Sequence, residues 1–241
     1  MAQPVFKGLL IILASVLVAT AAAAQTPYIT AAIHWPDGKA QFFLNDGTYL
    51  RYDTASNQVQ PGYPKPVNDT TWPGMGEYGS RIAAAFNTLN NKAIFILSDG
   101  QYIRYDITGD HADPGYPKPI NDETWPGLGP YGSHIISTLN WDPKTVQFFL
   151  NDKSYIRYDL QADRMEPGYP KPIDETTWPG LAPYAAHLAA AINAENGKAF
   201  IFFDDGRFVR YDIAADHVDD GYPKPINAET WPGLFKYFRH Q

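Results

Sequence analysis

Tyr49-Leu50-Arg51-Tyr52-Asp53 returns as Tyr102-Ile103-Arg104-Tyr105-Asp106, as Tyr155-Ile156-Arg157-Tyr158-Asp159 and as Phe208-Val209-Arg210-Tyr211-Asp212, each copy 53 residues after the last. The same period carries Gly62-Tyr63-Pro64-Lys65-Pro66 unchanged to Gly115, Gly168 and Gly221, and Trp72-Pro73-Gly74 to Trp125, Trp178 and Trp231. A strict period without insertions marks a repeat architecture, in which each unit buries its apolar faces on its neighbours. Four units result, about 29–81, 82–134, 135–187 and 188–240.

Within a unit, short β-branched or aromatic runs bounded by turn formers predict strands rather than helices. The first run is small and apolar, as in Ile82-Ala83-Ala84-Ala85-Phe86, and the second is Lys92-Ala93-Ile94-Phe95-Ile96-Leu97. A hairpin at Asp99-Gly100, whose glycine accepts a positive φ, leads into the third. There Tyr102 and Arg104 alternate with Ile103 and Tyr105, so both faces carry bulk and the sheet is expected to be covered on both sides. Gly-Tyr-Pro-Lys-Pro reads as a linker, because its prolines interrupt ladder pairing. Asn121 then caps a predicted one-turn helix that ends at Trp125-Pro126-Gly127.

An open stack of such units needs polar caps at its ends, yet the first and fourth units are as apolar as the middle two. Closure into a ring fits better. It brings the innermost strands together on an axis, where Ala31-Ala32, Ala83 to Ala85, Ser137-Thr138 and Ala189 to Ala191 are small enough to approach.

Ahead of the repeats, Lys7 precedes an apolar run from Leu9 to Ala24 that is shorter than the ~20 residues of a membrane span and ends in small residues. Residues 1–24 read as a signal peptide cut before Gln25, leaving 25–241 as a single domain, secreted to an extracellular or periplasmic space with no membrane span. Cleavage moves the formal charge from -7 to -8. With that acidity and no basic cluster, nucleic acid is not an expected partner. The absence of cysteine rules out thiol chemistry and disulfide staples. A domain of this length buries roughly 70% of its unfolded surface and needs neither.

These units resemble the hemopexin-like repeat, with its Ile-Asp-Ala-Ala inner strand, aromatic second strand, Tyr-Trp-Arg-Tyr-Asp, Gly-Tyr-Pro and Trp-Pro-Gly. The resemblance spans all four units. It implies an all-β fold, a four-bladed β-propeller around a central channel with each blade ending in a short helical turn, in a family of mostly extracellular binding modules. It also implies a channel cation on main-chain carbonyls: an outer ring of Thr30, Ala83, Ile136 and Ala189 and a deeper ring of Ala32, Ala85, Thr138 and Ala191. Such hard ligands suit Ca²⁺ or Na⁺. Three departures stand out. The family's Asp after the first Ile is missing at all four slots, the aromatic before Arg is Leu50, Ile103, Ile156 or Val209, and the disulfide joining first and last blades is absent. Closure therefore falls to packing or to strand pairing between the chain ends.

Where every unit agrees, the residue maintains the unit; function is sought where the symmetry breaks. Tyr28, Arg81, His134 and His187 share the slot before the inner strand and would gather at one channel mouth, a set able to bind an anion, a transition metal or a haem carboxylate. Gln58, His111, Arg164 and His217, beside Asp110, Asp113, Asp216 and Asp219, read as solvated loops, and His34, Trp35 and Trp141 complete the irregular set. No nucleophile elbow, zinc-binding His-Glu-x-x-His or phosphate loop is present. The expectation is a non-enzymatic module binding a metal ion or small ligand, with haem the first organic candidate. The alternative is an adhesion module presenting Lys65, Lys118, Lys171 and Lys224 to a glycan or protein.

Overall fold

The computed structural model describes residues 27–238. Residues 1–24, expected from the sequence to be a signal peptide, lie outside them. Four five-stranded antiparallel sheets follow one another, each made only of its own unit's strands. The innermost strands are Ile29–Trp35, Ile82–Asn87, Ile135–Asp142 and Leu188–Asn193. Among the described residues no helix is long and apolar enough to cross a membrane.

Each sheet gains two short strands beyond the three expected. Lys65–Pro66 and its equivalents pair with the start of the third strand, Tyr49 opposite Lys65 and Thr48 opposite Pro66. The linker reading is corrected here: lysine still offers a full peptide unit to the ladder, and proline, lacking an N–H, ends it after two residues. The predicted helical turn is also displaced. Asn121 Oδ1 accepts from the backbone of Glu123 and Thr124, both at 3.0 Å, as a cap should, and Trp125 N–H donates to Asn121 O at 2.7 Å. That is one isolated turn. The 3₁₀ helices come after Pro-Gly, at Gly79–Arg81, Gly129–His134, Ala182–His187 and Phe235–Tyr237, and the first three deliver the chain straight into the next inner strand.

Because side chains alternate across a strand, each blade feeds two different cores. Tyr102 joins the core shared with the third blade, whereas Ile103 and Tyr105 join the one shared with the first. The tryptophan of each unit meets the tyrosine of the next edge-on or tilted: Trp72 to Tyr105 at 5.3 Å, Trp125 to Tyr158 at 5.2 Å, Trp178 to Tyr211 at 5.0 Å. Trp231 to Tyr52 at 5.3 Å is the fourth member and closes the ring. Such a pair adds about 0.5–1.5 kcal/mol to its area burial. Among the described residues closure therefore rests on packing, with Phe202, Phe208 and Phe238 of the last blade against Phe42 and Leu44 of the first.

A belt of side-chain amides welds the inner strands. Asn87 Nδ2 donates to His34 O at 2.8 Å, Asn140 Nδ2 to Asn87 O at 2.9 Å and Asn193 Nδ2 to Asn140 O at 2.9 Å. Asn140 Oδ1 also accepts from Asn87 N–H at 2.9 Å. The first unit has His34 in this slot, and its Nδ1 lies 3.0 Å from Glu195 of the fourth blade, so the belt spans the junction as well.

Outside the belt, Lys39, Lys92 and Lys198 hold Asp53, Asp106 and Asp212 at 2.7, 2.8 and 2.6 Å. Hydrogen bonds from these ammonium groups, joined by backbone N–H donors, lower each of the three carboxyls to about 2.

Three tests follow from this packing. Asn140→Ala strands two half-buried backbone groups and should cost about 2 kcal/mol in urea unfolding, against under about 0.5 kcal/mol for the exposed Asn90→Ala. The hairpin glycines have φ of 80° at Gly47, 79° at Gly100 and 81° at Gly206, but the third unit places Lys153 there at 70°. Lys153→Gly should stabilise the protein by about 1 kcal/mol, and a loss would show that the lysine side chain outweighs its backbone. Finally, a carboxyl lowered by folding stabilises above its unfolded pKa and loses that contribution as pH falls through its folded value. The urea midpoint should drop between pH of about 4 and about 2, less steeply in Asp106→Asn.

Candidate functional site

The channel opens into a cavity at each end. The cavity at the start of the inner strands, about 500 Å³, is lined by Tyr28, Thr30, Arg81, Ala83, Ile136 and Ala189 among others. The opposite one, about 630 Å³, is lined by Ala32, Ala85, Thr138 and Ala191 together with the amide belt. The two proposed carbonyl rings thus lie toward opposite ends.

Backbone register separates them further. In every blade the pairing of first and second strands slips at the same point, between Ile29 and Ala31, Ile82 and Ala84, Ile135 and Ser137, and Leu188 and Ala190. The extra residue of each bulge is therefore Thr30, Ala83, Ile136 or Ala189. A bulge leaves its extra residue out of the ladder and turns its peptide groups from the regular direction. The outer ring is accordingly a girdle of four bulge residues, all half-buried at the mouth. The deeper residues stay in regular register, and the Ala85 carbonyl takes the Thr138 hydroxyl at 2.8 Å. Thr30 Oγ1 donates across the first two blades to Ile82 O at 2.6 Å.

The slot before each inner strand is fixed by its carbonyl: Tyr28 O accepts from Asn45 N–H at 3.0 Å, Arg81 O from Ser98 at 2.8 Å, His134 O from Asn151 at 2.9 Å and His187 O from Asp204 at 2.8 Å. The side chains follow the same hairpins. Arg81 pairs with Asp99 and reaches Gln101 Oε1 at 3.0 Å, His187 Nδ1 lies 2.8 Å from Asp204 Oδ1, and His134 Nδ1 lies 3.3 Å from Asn151 Oδ1. Of the four, Tyr28 and Arg81 line the mouth; His134 and His187 do not, each imidazole being held within its own blade.

The second irregular slot is occupied by structure. Asp110 and Asp216 accept the Tyr105 and Tyr211 hydroxyls at 2.8 Å, while Asp113 and Asp219 bridge Lys92 with Arg104 and Lys198 with Arg210. Burial first, and these aspartates second, raise the two phenols above their usual range. Among the described residues no three His, Cys, Asp or Glu side chains form a metal-holding group, so a channel cation would depend on carbonyls. Lys65, Lys118, Lys171 and Lys224 each sit over the tyrosine two residues earlier, 4.7–5.0 Å from its ring centre. The amide belt was not anticipated; its only sequence signal is Asn recurring at 87, 140 and 193.

Comparison with known proteins agrees with this architecture. The Hemopexin family model matches residues 29–77. Human (Homo sapiens) neutrophil collagenase is 31% identical over 147 residues, 61% of this chain and 28% of that protein. Stromelysin-1 of Equus caballus is 29% identical over 147 residues, with the same coverage of 61% and 28%. The chain thus corresponds to little more than a quarter of either relative's length. Among solved structures, LS24, a seed albumin from Lathyrus sativus, superposes with a TM-score of 0.73 at 24% identity over 88% of this chain and 97% of that one. A plant albumin from Cicer arietinum showing hemagglutination gives 0.71 at 24% identity over 86% and 96%. The four equivalent units, their closure and these likenesses together make the chain a four-bladed β-propeller of the hemopexin fold, similar over its first unit to the Hemopexin family.

Proposed function

We propose that this propeller is a secreted, non-enzymatic binding module whose channel mouth holds a hard cation, Ca²⁺ or Na⁺, on the carbonyls of Thr30, Ala83, Ile136 and Ala189. The observation that carries the reading is the bulge repeated at one slot in all four blades. Oxygen ligands without side-chain charge suit a weakly held hard ion. A bound ion would supply fixed positive charge at the mouth. Arg81 and Tyr28 stand beside it, one a cation and the other a phenol, and would orient an anionic ligand such as a carboxylate, those of haem included. The export step rests on the Leu9–Ala24 segment. Glycan or protein adhesion is the second reading; hemagglutination is named for the Cicer arietinum albumin, and four equivalent exposed lysines favour multivalent contact here.

Native mass spectrometry before and after chelation should show an ion lost from the folded protein, and added Ca²⁺ should raise the melting temperature. Ala83→Asp with Ala189→Asp places carboxylates on opposite blades at the slots where the family carries them. Ca²⁺ affinity should then rise about tenfold, which is about 1.4 kcal/mol. A melting temperature indifferent to Ca²⁺ and Na⁺ in both proteins, with no ion retained, would sink the cation reading. A glycan array and agglutination assay would separate out the second.

A further inference from the structure

Position 35 recurs at 88, 141 and 194, and the four residues alternate: Trp35, Thr88, Trp141, Ala194. Each tryptophan plugs an interface between blades. Trp35 lies edge-on to Trp72 at 5.2 Å and to Tyr105 of the second blade at 6.3 Å; Trp141 lies edge-on to Trp178 at 5.3 Å and tilted on Tyr211 of the fourth blade at 5.9 Å. At the other two interfaces the plug is missing, and a cleft opens at the equivalent place. The cleft between second and third blades, about 590 Å³, is lined by Thr88, Ile94, Trp125 and Leu160. The cleft between fourth and first blades, about 500 Å³, is lined by Ala194, Phe200, Trp231 and Tyr52. Both volumes fall in the ordinary range of ligand pockets; the fourth–first cleft is mainly apolar, whereas the second–third cleft mixes Ile94, Trp125 and Leu160 with Lys92, Arg104 and Asp163.

We infer that these two clefts are sockets for aromatic side chains presented by a partner polypeptide, each taking the place that an indole of this chain fills at the two sister interfaces. The template is internal. Trp72 and Tyr105 receive the Trp35 ring, and Trp231 and Tyr52 form the same pair, 5.3 Å apart, at the uncovered junction. Edge-to-face contacts of this kind are what an incoming ring would gain. The slot behind the plug changes in step: Gln41 and Gln147 lie at the plugged interfaces, while Ile94 and Phe200 each put an apolar side chain into an open cleft. Leu89, 45% exposed, extends the second–third cleft at its lip, and it is the one large hydrophobic side chain left exposed among the described residues. Polar groups at the edges, Arg104 and Asp163 on one side of the molecule and Lys224 and Asn57 on the other, would engage a peptide backbone. The channel mouth plays no part, so this inference stands apart from the cation reading.

The six tryptophans give an internal readout through their indole N–H signals in ¹H–¹⁵N spectra of the full protein. Titration with N-acetyl-L-tryptophanamide should move the Trp125 and Trp231 signals saturably and leave Trp72 and Trp178 in place, equally with Ca²⁺ or with chelator. Thr88→Trp should abolish the Trp125 response alone, and Ala194→Trp the Trp231 response alone, while Thr88→Ser keeps both. Should a plugged variant fail to fold, the wild-type titration decides by itself. Shifts spread over all the tryptophans, shifts absent at Trp125 and Trp231, or a response to methyl glycosides in place of the indole would each overturn the inference.

Discussion

A ring of four sheets has no free face: every blade must be covered on both sides, and the last interface joins residues farthest apart in the chain. Here that junction sets Phe202, Phe238 and Trp231 against Phe42 and Tyr52, without a disulfide and, among the described residues, without exchange of a strand. Closing so long a loop costs entropy before it gains contacts, so the final interface has to be as apolar as the other three. It is. The amide belt adds direction to this non-directional packing, and at the junction the His34–Glu195 pair stands in for a missing fourth asparagine.

The ring was legible because the period is strict and because the inner strands are small. Those are features of composition at fixed spacing, and steric demand near an axis leaves few other options. The alternation of Tyr102 with Ile103 likewise foretold two covered faces. What escaped was register. Whether Ala83 or Ala84 drops out of a ladder depends on how two strands slide past each other, and neither alanine signals it. The Lys65–Pro66 strand escaped for a related reason, since a proline marks where pairing must end and says little about whether it continues until then. His134 and His187 share a slot, yet each imidazole turned to its own hairpin, because a local partner in hydrogen-bond reach outcompetes a distant one across solvent.

Beneath the fourfold repeat runs a twofold one. The first and third blades carry Trp35 with Gln41 and Trp141 with Gln147; the second and fourth carry the Lys92–Asp106–Asp113 and Lys198–Asp212–Asp219 clusters. Two interfaces are sealed by indoles, and at the two others charge braces the outer turns while the cleft is left open. Packing alone would favour four plugs, since an unfilled space forfeits dispersion contacts that its walls would otherwise make.

The two kinds of site follow from that difference in symmetry. A girdle of carbonyls needs no particular side chain, so drift in sequence at Thr30, Ala83, Ile136 and Ala189 leaves its carbonyl oxygens in place as long as the bulges persist. The clefts are the reverse case, since each exists only because one residue is small where its sister is an indole. A single change to a large aromatic at Thr88 or Ala194 would erase a cleft while improving the core. The channel is thus a property of the fold, and the clefts are a property of this chain.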